Sequence, residues 1–184
     1  MISEDTFSPM IASLSILVVV ATIVGLLVAE LPSAETLRLL FYEHAQKLMF
    51  AVAAAAMASS LYYSEVANFT PCELCWFQRI AMYPLAVLLL VSIVSRSRMD
   101  SKYIVTLAAV GLAVSIYHYQ LQLFPDQAQI CTGGVVSCTV KFVDEFGFVS
   151  IPFMAGAGFL TILLLQIAEW RADRVFGRDA AAST

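Results

Sequence analysis

Charge is what this chain has least of. Asp, Glu, Lys and Arg together make up 13% of its 184 residues, where a soluble domain carries about 25%. That scarcity excludes a water-exposed surface over most of the molecule. Positive charge is the scarcer sign. Ten Lys and Arg against fourteen Asp and Glu give a net charge of −4, so there is no basic patch to neutralise phosphates and no nucleic-acid partner is expected. No Lys or Arg precedes Arg38, whereas Glu4 and Asp5 do. A secretory leader needs a positive n-region, so the first apolar run reads as a retained span with its N-terminus outside. There is no polar tract long enough for a soluble domain, and no low-complexity segment. Cysteines number only four, and they fall in two close pairs.

What the chain has instead is apolar length. It is 60% hydrophobic, with a mean hydropathy of +0.84. A span needs about 20 mainly apolar residues to cross roughly 30 Å of hydrocarbon. Five stretches qualify: Met10 to Leu31, Ala45 to Tyr63, Trp76 to Ser95, Tyr103 to Phe124, and Phe148 to Glu169. Each is expected to be a helix, because lipid offers no partner to an open backbone. Leu37, Leu40, Phe41, His44 and Leu48 recur at helical spacing before the second stretch. That pattern predicts an amphipathic extension of the second span at the interface, with His44 a surface histidine rather than a ligand.

Basic residues set the expected orientation. Arg38 and Lys47 lie in or beside the first connection, Arg96, Arg98 and Lys102 in the third, and Arg171, Arg174 and Arg178 in the tail. With five alternating spans these share one side, the cytoplasm. Only Arg79 and Lys141 fall at the opposite face, together with Cys72, Cys75, Cys131 and Cys138. Disulfides persist at that outer face. The expected localisation is a multi-pass protein of the inner or plasma membrane, with its cysteines periplasmic or extracellular and its C-terminus cytoplasmic.

The most informative stretch is Asn68-Phe-Thr-Pro-Cys-Glu-Leu-Cys-Trp-Phe-Gln-Arg79. Thr70 to Glu73 reads as a capping box with Pro71 at the first helical position, which predicts Thr70 as the cap of the third span. Cys72 and Cys75 then lie in the first turns of that helix, where the dipole and a nearby cation lower a thiol pKa. Arg79 follows Cys75 by four residues and shares its helix face. It either snorkels toward headgroups or serves as a cation beside a thiolate and the carbonyl oxygen of an electron acceptor. The CxxC itself has rivals: a zinc site built from all four cysteines, or a structural disulfide.

The second pair lies in a loop, Pro125 to Gly147, as Cys131-Thr-Gly-Gly-Val-Val-Ser-Cys138. Its two glycines let a disulfide bend toward an attacker, and an exposed loop disulfide is easily reduced and reformed. Lys141 to Phe148 alternates aromatic and acidic residues and predicts a short surface helix that anchors the loop. Two pairs at one face suggest an electron relay, in which the loop pair meets a soluble partner and the helix pair meets a lipid-soluble acceptor.

These residues resemble the DsbB/BdbC family of membrane disulfide-bond formation proteins. The resemblance is carried by Pro71-Cys-Glu-Leu-Cys-Trp-Phe-Gln-Arg-Ile80 with Met82-Tyr-Pro84, by Tyr117-His-Tyr-Gln120, by Cys131…Cys138, and by Phe146-Gly-Phe-Val-Ser-Ile-Pro-Phe153. It covers roughly residues 45 to 170. It implies an all-α membrane protein with a four-helix transmembrane bundle over 45–170. To this the present chain adds an N-terminal transmembrane helix and cytoplasmic connection over 1–44 and a cytoplasmic tail over 171–184, for five spans in all. It implies a thiol:quinone oxidoreductase that reoxidises a soluble thioredoxin-fold oxidase of the DsbA/BdbD type, with ubiquinone or menaquinone as cofactor. Cys131 would form the mixed disulfide with that partner, Cys138 would exchange with Cys72, and Cys75 would face the quinone. Arg79, His118 and Gln78 would be the quinone-binding residues, although His118 also reads as a packed polar residue near the interface. Vitamin K epoxide reductases do related chemistry, but there the loop pair precedes the CxxC. The first span has no counterpart in the four-span pattern, and the loop pair is more closely spaced than in some relatives.

Overall fold

The computed structural model describes residues 4–31, 34–127 and 136–182. Five long helices form: α1 (Glu4–Ala29), α2 (Glu35–Leu61), α3 (Glu73–Val94), α4 (Ser101–Leu123) and α5 (Ile151–Ala182). Among the described residues there is no strand, only one isolated antiparallel bridge between Glu145 and Val149. Four of the helices, α1, α3, α4 and α5, are long and apolar enough to cross a membrane. The 27-residue α2 has the length, but its N-terminal half carries Arg38, Glu43, His44 and Lys47. As the helical spacing predicts, residues 35–48 extend the second helix, continuing directly into the rest of α2, with Phe41, Ala45 and Met49 in the core. A boundary at 44/45 therefore falls inside one helix.

Helices α2, α3, α4 and α5 close a ring in which each packs on two neighbours, and α1 lies outside it against α5 and, less extensively, α2. The core is apolar: Met49, Leu85, Leu89, Ile104, Phe159 and Ile162 are fully or almost fully buried. Small residues let the helices approach. The Phe159 ring lies so close to Gly111 that a Cβ there would come within 2.2 Å of it. A Cβ on Gly156 would meet Ser115 at 3.3 Å, and one on Gly158 would meet Met82 at 3.5 Å. The Ala155–Gly158 small-residue run thus packs inside the molecule.

One end of the bundle is tied by polar contacts. The Gln46 amide exchanges two hydrogen bonds with the Met99 backbone, both 3.1 Å. Arg98 pairs with Glu169, and Arg171 with Glu30. The Arg38 guanidinium donates to the carbonyls of Ala29 (2.6 Å) and Leu31 (2.8 Å), satisfying acceptors that the end of α1 leaves open. Arg38, Arg98 and Arg171 therefore gather at one end, while the N-terminus of α3 and the C-terminus of α4 lie at the other.

Candidate functional site

The chain reaches the N-terminus of α3 through a π-helical turn at Tyr62–Val66 and an extended segment. Two expectations change here. Helix α3 begins at Glu73, so its cap is Cys72 rather than Thr70. Pro71 precedes the cap, where its missing N–H costs no helical bond. Cys75 is then the third helical residue, and its sulfur accepts from the Cys72 backbone N–H. That is the reach-back of a capping box, performed by the second cysteine of the motif. Only this half of the box forms, since the Cys72 side chain makes no capping hydrogen bond.

The two sulfurs lie 3.1 Å apart as thiols. His118, from the last two turns of α4, brings its Nε2 to 3.6 Å from the Cys72 sulfur. The ring is 2% exposed, and its Nδ1 has no hydrogen-bond partner among the described residues. The helix dipole does not prevail at Cys72. The hydrogen bond to Cys75 and then burial push its thiol up to about 12, outweighing the lowering by His118. Cys138 is buried in the same cluster as Cys72, Leu74 and Leu121. The loop thus brings its second cysteine to the helix pair, while Cys131 lies outside the described residues.

Gln78 is buried, and its amide donates to the Ser115 hydroxyl at 2.9 Å. The half-buried Arg79 donates from Nε to Ser60 Oγ (2.9 Å) and from a terminal nitrogen to the Ser60 carbonyl (3.0 Å). It also lies 5.3 Å from the Trp76 ring. These contacts offset the cost of a guanidinium among apolar helices. Neither Ser60 nor Ser115 was legible as a site residue. They stand 19 and 37 positions from their partners, and nothing in local spacing marks them.

A cavity of about 170 Å³ opens beside the dithiol, with Cys75, Gln78 and Arg79 at one part of its lining and mostly apolar side chains elsewhere. Residues 141–148 form bends and turns rather than a surface helix. Phe146 takes a positive φ of 54° just before Gly147 at 76°, a reversal that ends any helix there. The anchoring role survives in another form. Phe142 stacks on Phe69 at 5.0 Å, Val143 is buried, and Phe142 lines the cavity.

Several membrane-length apolar helices and a dithiol at the mouth of one of them define a multi-pass membrane protein with a thiol site. The chain belongs to the DsbB family, since the family model described as disulfide bond formation protein DsbB matches residues 42–172. A probable disulfide formation protein of Oceanobacillus iheyensis is 43% identical over 136 residues, covering 72% of this chain and 91% of the relative. Disulfide bond formation protein C of Bacillus subtilis is 41% identical over 117 residues, 62% of this chain and 84% of the relative. An SPbeta prophage-derived disulfide bond formation protein B, also of Bacillus subtilis, is 36% identical over 62% of this chain and 78% of its own length. No solved structure matches the chain. Family membership makes the protein an oxidoreductase of disulfide-bond formation.

Proposed function

We propose that the chain is a thiol:quinone oxidoreductase that reoxidises a soluble DsbA/BdbD-like thioredoxin-fold oxidase and passes the electrons to membrane ubiquinone or menaquinone. The observation that carries this reading is the position of Cys75. Its sulfur faces an apolar cavity lined also by Arg79 and Gln78 and stands 3.1 Å from Cys72, with Cys138 packed in the cluster of the same dithiol.

The thiol steps balance. A thiolate of the reduced partner attacks Cys131 of a Cys131–Cys138 disulfide, and its second thiolate resolves the mixed disulfide. The partner leaves oxidised, with the loop pair reduced. Cys138 then attacks Cys72 of a Cys72–Cys75 disulfide and expels the Cys75 thiolate. Cys131 resolves the Cys72–Cys138 bond, which restores the loop disulfide and leaves Cys72 and Cys75 reduced. His118, against the Cys72 sulfur, is placed to take or return the proton of that thiol. The cavity suits a quinone by its lining: the N–H donors of Arg79 and Gln78 and a thiol at one part, and mostly apolar side chains with a few hydroxyls elsewhere. A bound quinone supplies a sink for two electrons and two protons. Cys75 presents sulfur to it, Arg79 and Gln78 offer N–H groups to its oxygens, and the short Cys72–Cys75 separation lets the disulfide re-form with little movement.

In this reading α2 is the fifth span, because the ring would open its core to lipid without it. The end bearing Arg38, Arg98 and Arg171 is cytoplasmic, and the cysteine end faces the periplasm or the outside. A second reading is favoured by one observation. The ligand atoms of Cys72, Cys75 and His118 lie within 4.8 Å of one another, a set that suits a thiophilic cation with one open position. Metal retained through purification, with thiols protected from alkylation, would support it.

The deciding assay mixes the purified chain in detergent with a reduced thioredoxin-fold partner and a quinone, and follows quinone absorbance. Turnover by the unaltered chain is expected, and none by Cys75→Ser with its helix content retained. Turnover by the variant, or none by the unaltered chain with either quinone, would overturn the proposal.

A further inference from the structure

The cavity beside Cys75 is not closed by the family bundle alone. One of its sides is α1, which lies wholly outside the family match beginning at residue 42. Ile11, Leu14, Ser15 and Val18 line the cavity, and their spacing puts them on one helical face. The face is chemically plain. Its one hydroxyl, on Ser15, donates back to the Ala12 carbonyl at 2.7 Å, so it offers an occupant no strong donor. The opposite face, with Leu17, Val20, Val24 and Leu27, is exposed, and Leu14 on the cavity face is also partly open to the outside at 45% exposed.

Helix α1 is held in register over the cavity at both ends. At the cysteine end the Tyr63 hydroxyl reaches Ser8 at 3.3 Å, both residues buried, and the Phe7 ring lies 3.9 Å from that of Tyr62. At the far end Arg38 caps its carbonyls and Arg171 pairs with Glu30. Between them Ala12 is fully buried. The cavity therefore has two chemically different parts. Sulfur, guanidinium and amide groups come from α3, and an apolar wall comes from α1.

We infer that α1 is a specificity-determining wall, whose Ile11–Leu14–Ser15–Val18 face contacts the isoprenoid chain of the quinone and selects acceptors by that chain. The inference rests on the quinone reading above. The polar part of the lining suits a ring bearing oxygens. The apolar part suits a methyl-branched hydrocarbon chain, which is held by dispersion and burial rather than by donors.

Two measurements test it. The first is binding by the unaltered chain of a quinone analogue with a photoreactive diazirine on its isoprenoid tail, with crosslinked peptides identified by mass spectrometry. Crosslinks within residues 7–20 are expected. The second is the ratio of kcat/KM for a long-tailed quinone to that for a tail-less one. Leu14→Trp, which narrows the wall, and Leu14→Ala, which widens it, should each shift that ratio, the former by about tenfold, as for small steric changes in an apolar pocket. Leu17→Trp on the outward face should leave the ratio unchanged. Crosslinks confined to α2–α5, or a ratio unmoved by both Leu14 variants while the unaltered chain reduces quinone, would overturn the inference and leave the quinone reading standing. A chain that neither crosslinks nor reduces any quinone would sink that reading first and this inference with it.

Discussion

Cys72 and Cys75 are three residues apart but chemically unlike. Cys72 is the helix cap, is buried, and gives its proton to a hydrogen bond with Cys75. That bond is the largest cause of its raised pKa, and the His118 contact opposes it. The sign follows for each partner. Removing Cys75 removes the acceptor that holds the proton, so the Cys72 pKa falls from about 12 toward the ordinary thiol range near 8.5. Removing His118 removes a contact that favours the thiolate, so the pKa rises further. In the reduced protein at a pH of about 8.5, the thiolate being the reactive form, alkylation of Cys72 should be faster in Cys75→Ala than in the unaltered chain, and slower in His118→Phe. Mass spectrometry of timed iodoacetamide reactions checks both, and rates that move together in the two variants would contradict the assignment. The CxxC motif is legible in sequence, and so is its place at the start of a helix. The inequality of its two thiols is not, because it depends on which residue caps and on a histidine 46 positions away.

Between elements, α4 and α5 approach closely at Gly111 and Phe159. A methyl group on Gly111 would overlap the fully buried Phe159 ring, so the ring or the two helices must shift. Gly111→Ala should destabilise the bundle by about 1–3 kcal/mol, the usual cost of overpacking, read as a lower midpoint of thermal unfolding in detergent. An unchanged midpoint would mean the helices separate at little cost. Helices α3 and α4 lie within a few residues of the apolar runs that announce them at both ends, since apolar length is written locally in the chain, whereas α1 and α2 begin well before their runs and α5 continues well past its own. The N-terminus of α3 and residues 141–148 depart from the sequence reading for different reasons. Cap choice at Cys72 is settled by a sulfur reaching back to a backbone N–H. The 141–148 segment is settled by Phe142 and Val143 finding places against Phe69 and the core. Its alternating pattern does not specify those partners.

At the scale of the whole molecule, the end away from the cysteines is fastened by charge. Glu169 is 3% exposed and bound by Arg98 and by Gln166 at 2.8 Å, whereas the Arg98 side chain is about half exposed (47%). The pair is therefore asymmetric. Glu169→Gln leaves Arg98 with access to solvent and a neutral partner. Arg98→Ala leaves a buried carboxylate with an amide alone, and an uncompensated buried charge is the costly case. Arg98→Ala should be the more destabilising, by about 1–3 kcal/mol relative to Glu169→Gln, measured as the difference in unfolding midpoints. Equal effects would place Glu169 in water. This fastening joins the α3–α4 connection to α5, so the ring closes at one end by salt bridge and at the other by the cysteine cluster.

The sequence by itself determined the helical class, the number and approximate limits of the apolar runs, the two cysteine pairs and the family, because each is carried by composition or by residues close together in the chain. Only the tertiary structure decided that Cys72 caps α3, that Ser60 and Ser115 hold Arg79 and Gln78, that Cys138 packs with the helix pair, and that α1 walls the cavity. The cap is a local choice that the Cys75 sulfur makes on a backbone N–H; the others are meetings of side chains far apart in sequence, which depend on how the helices pack side by side.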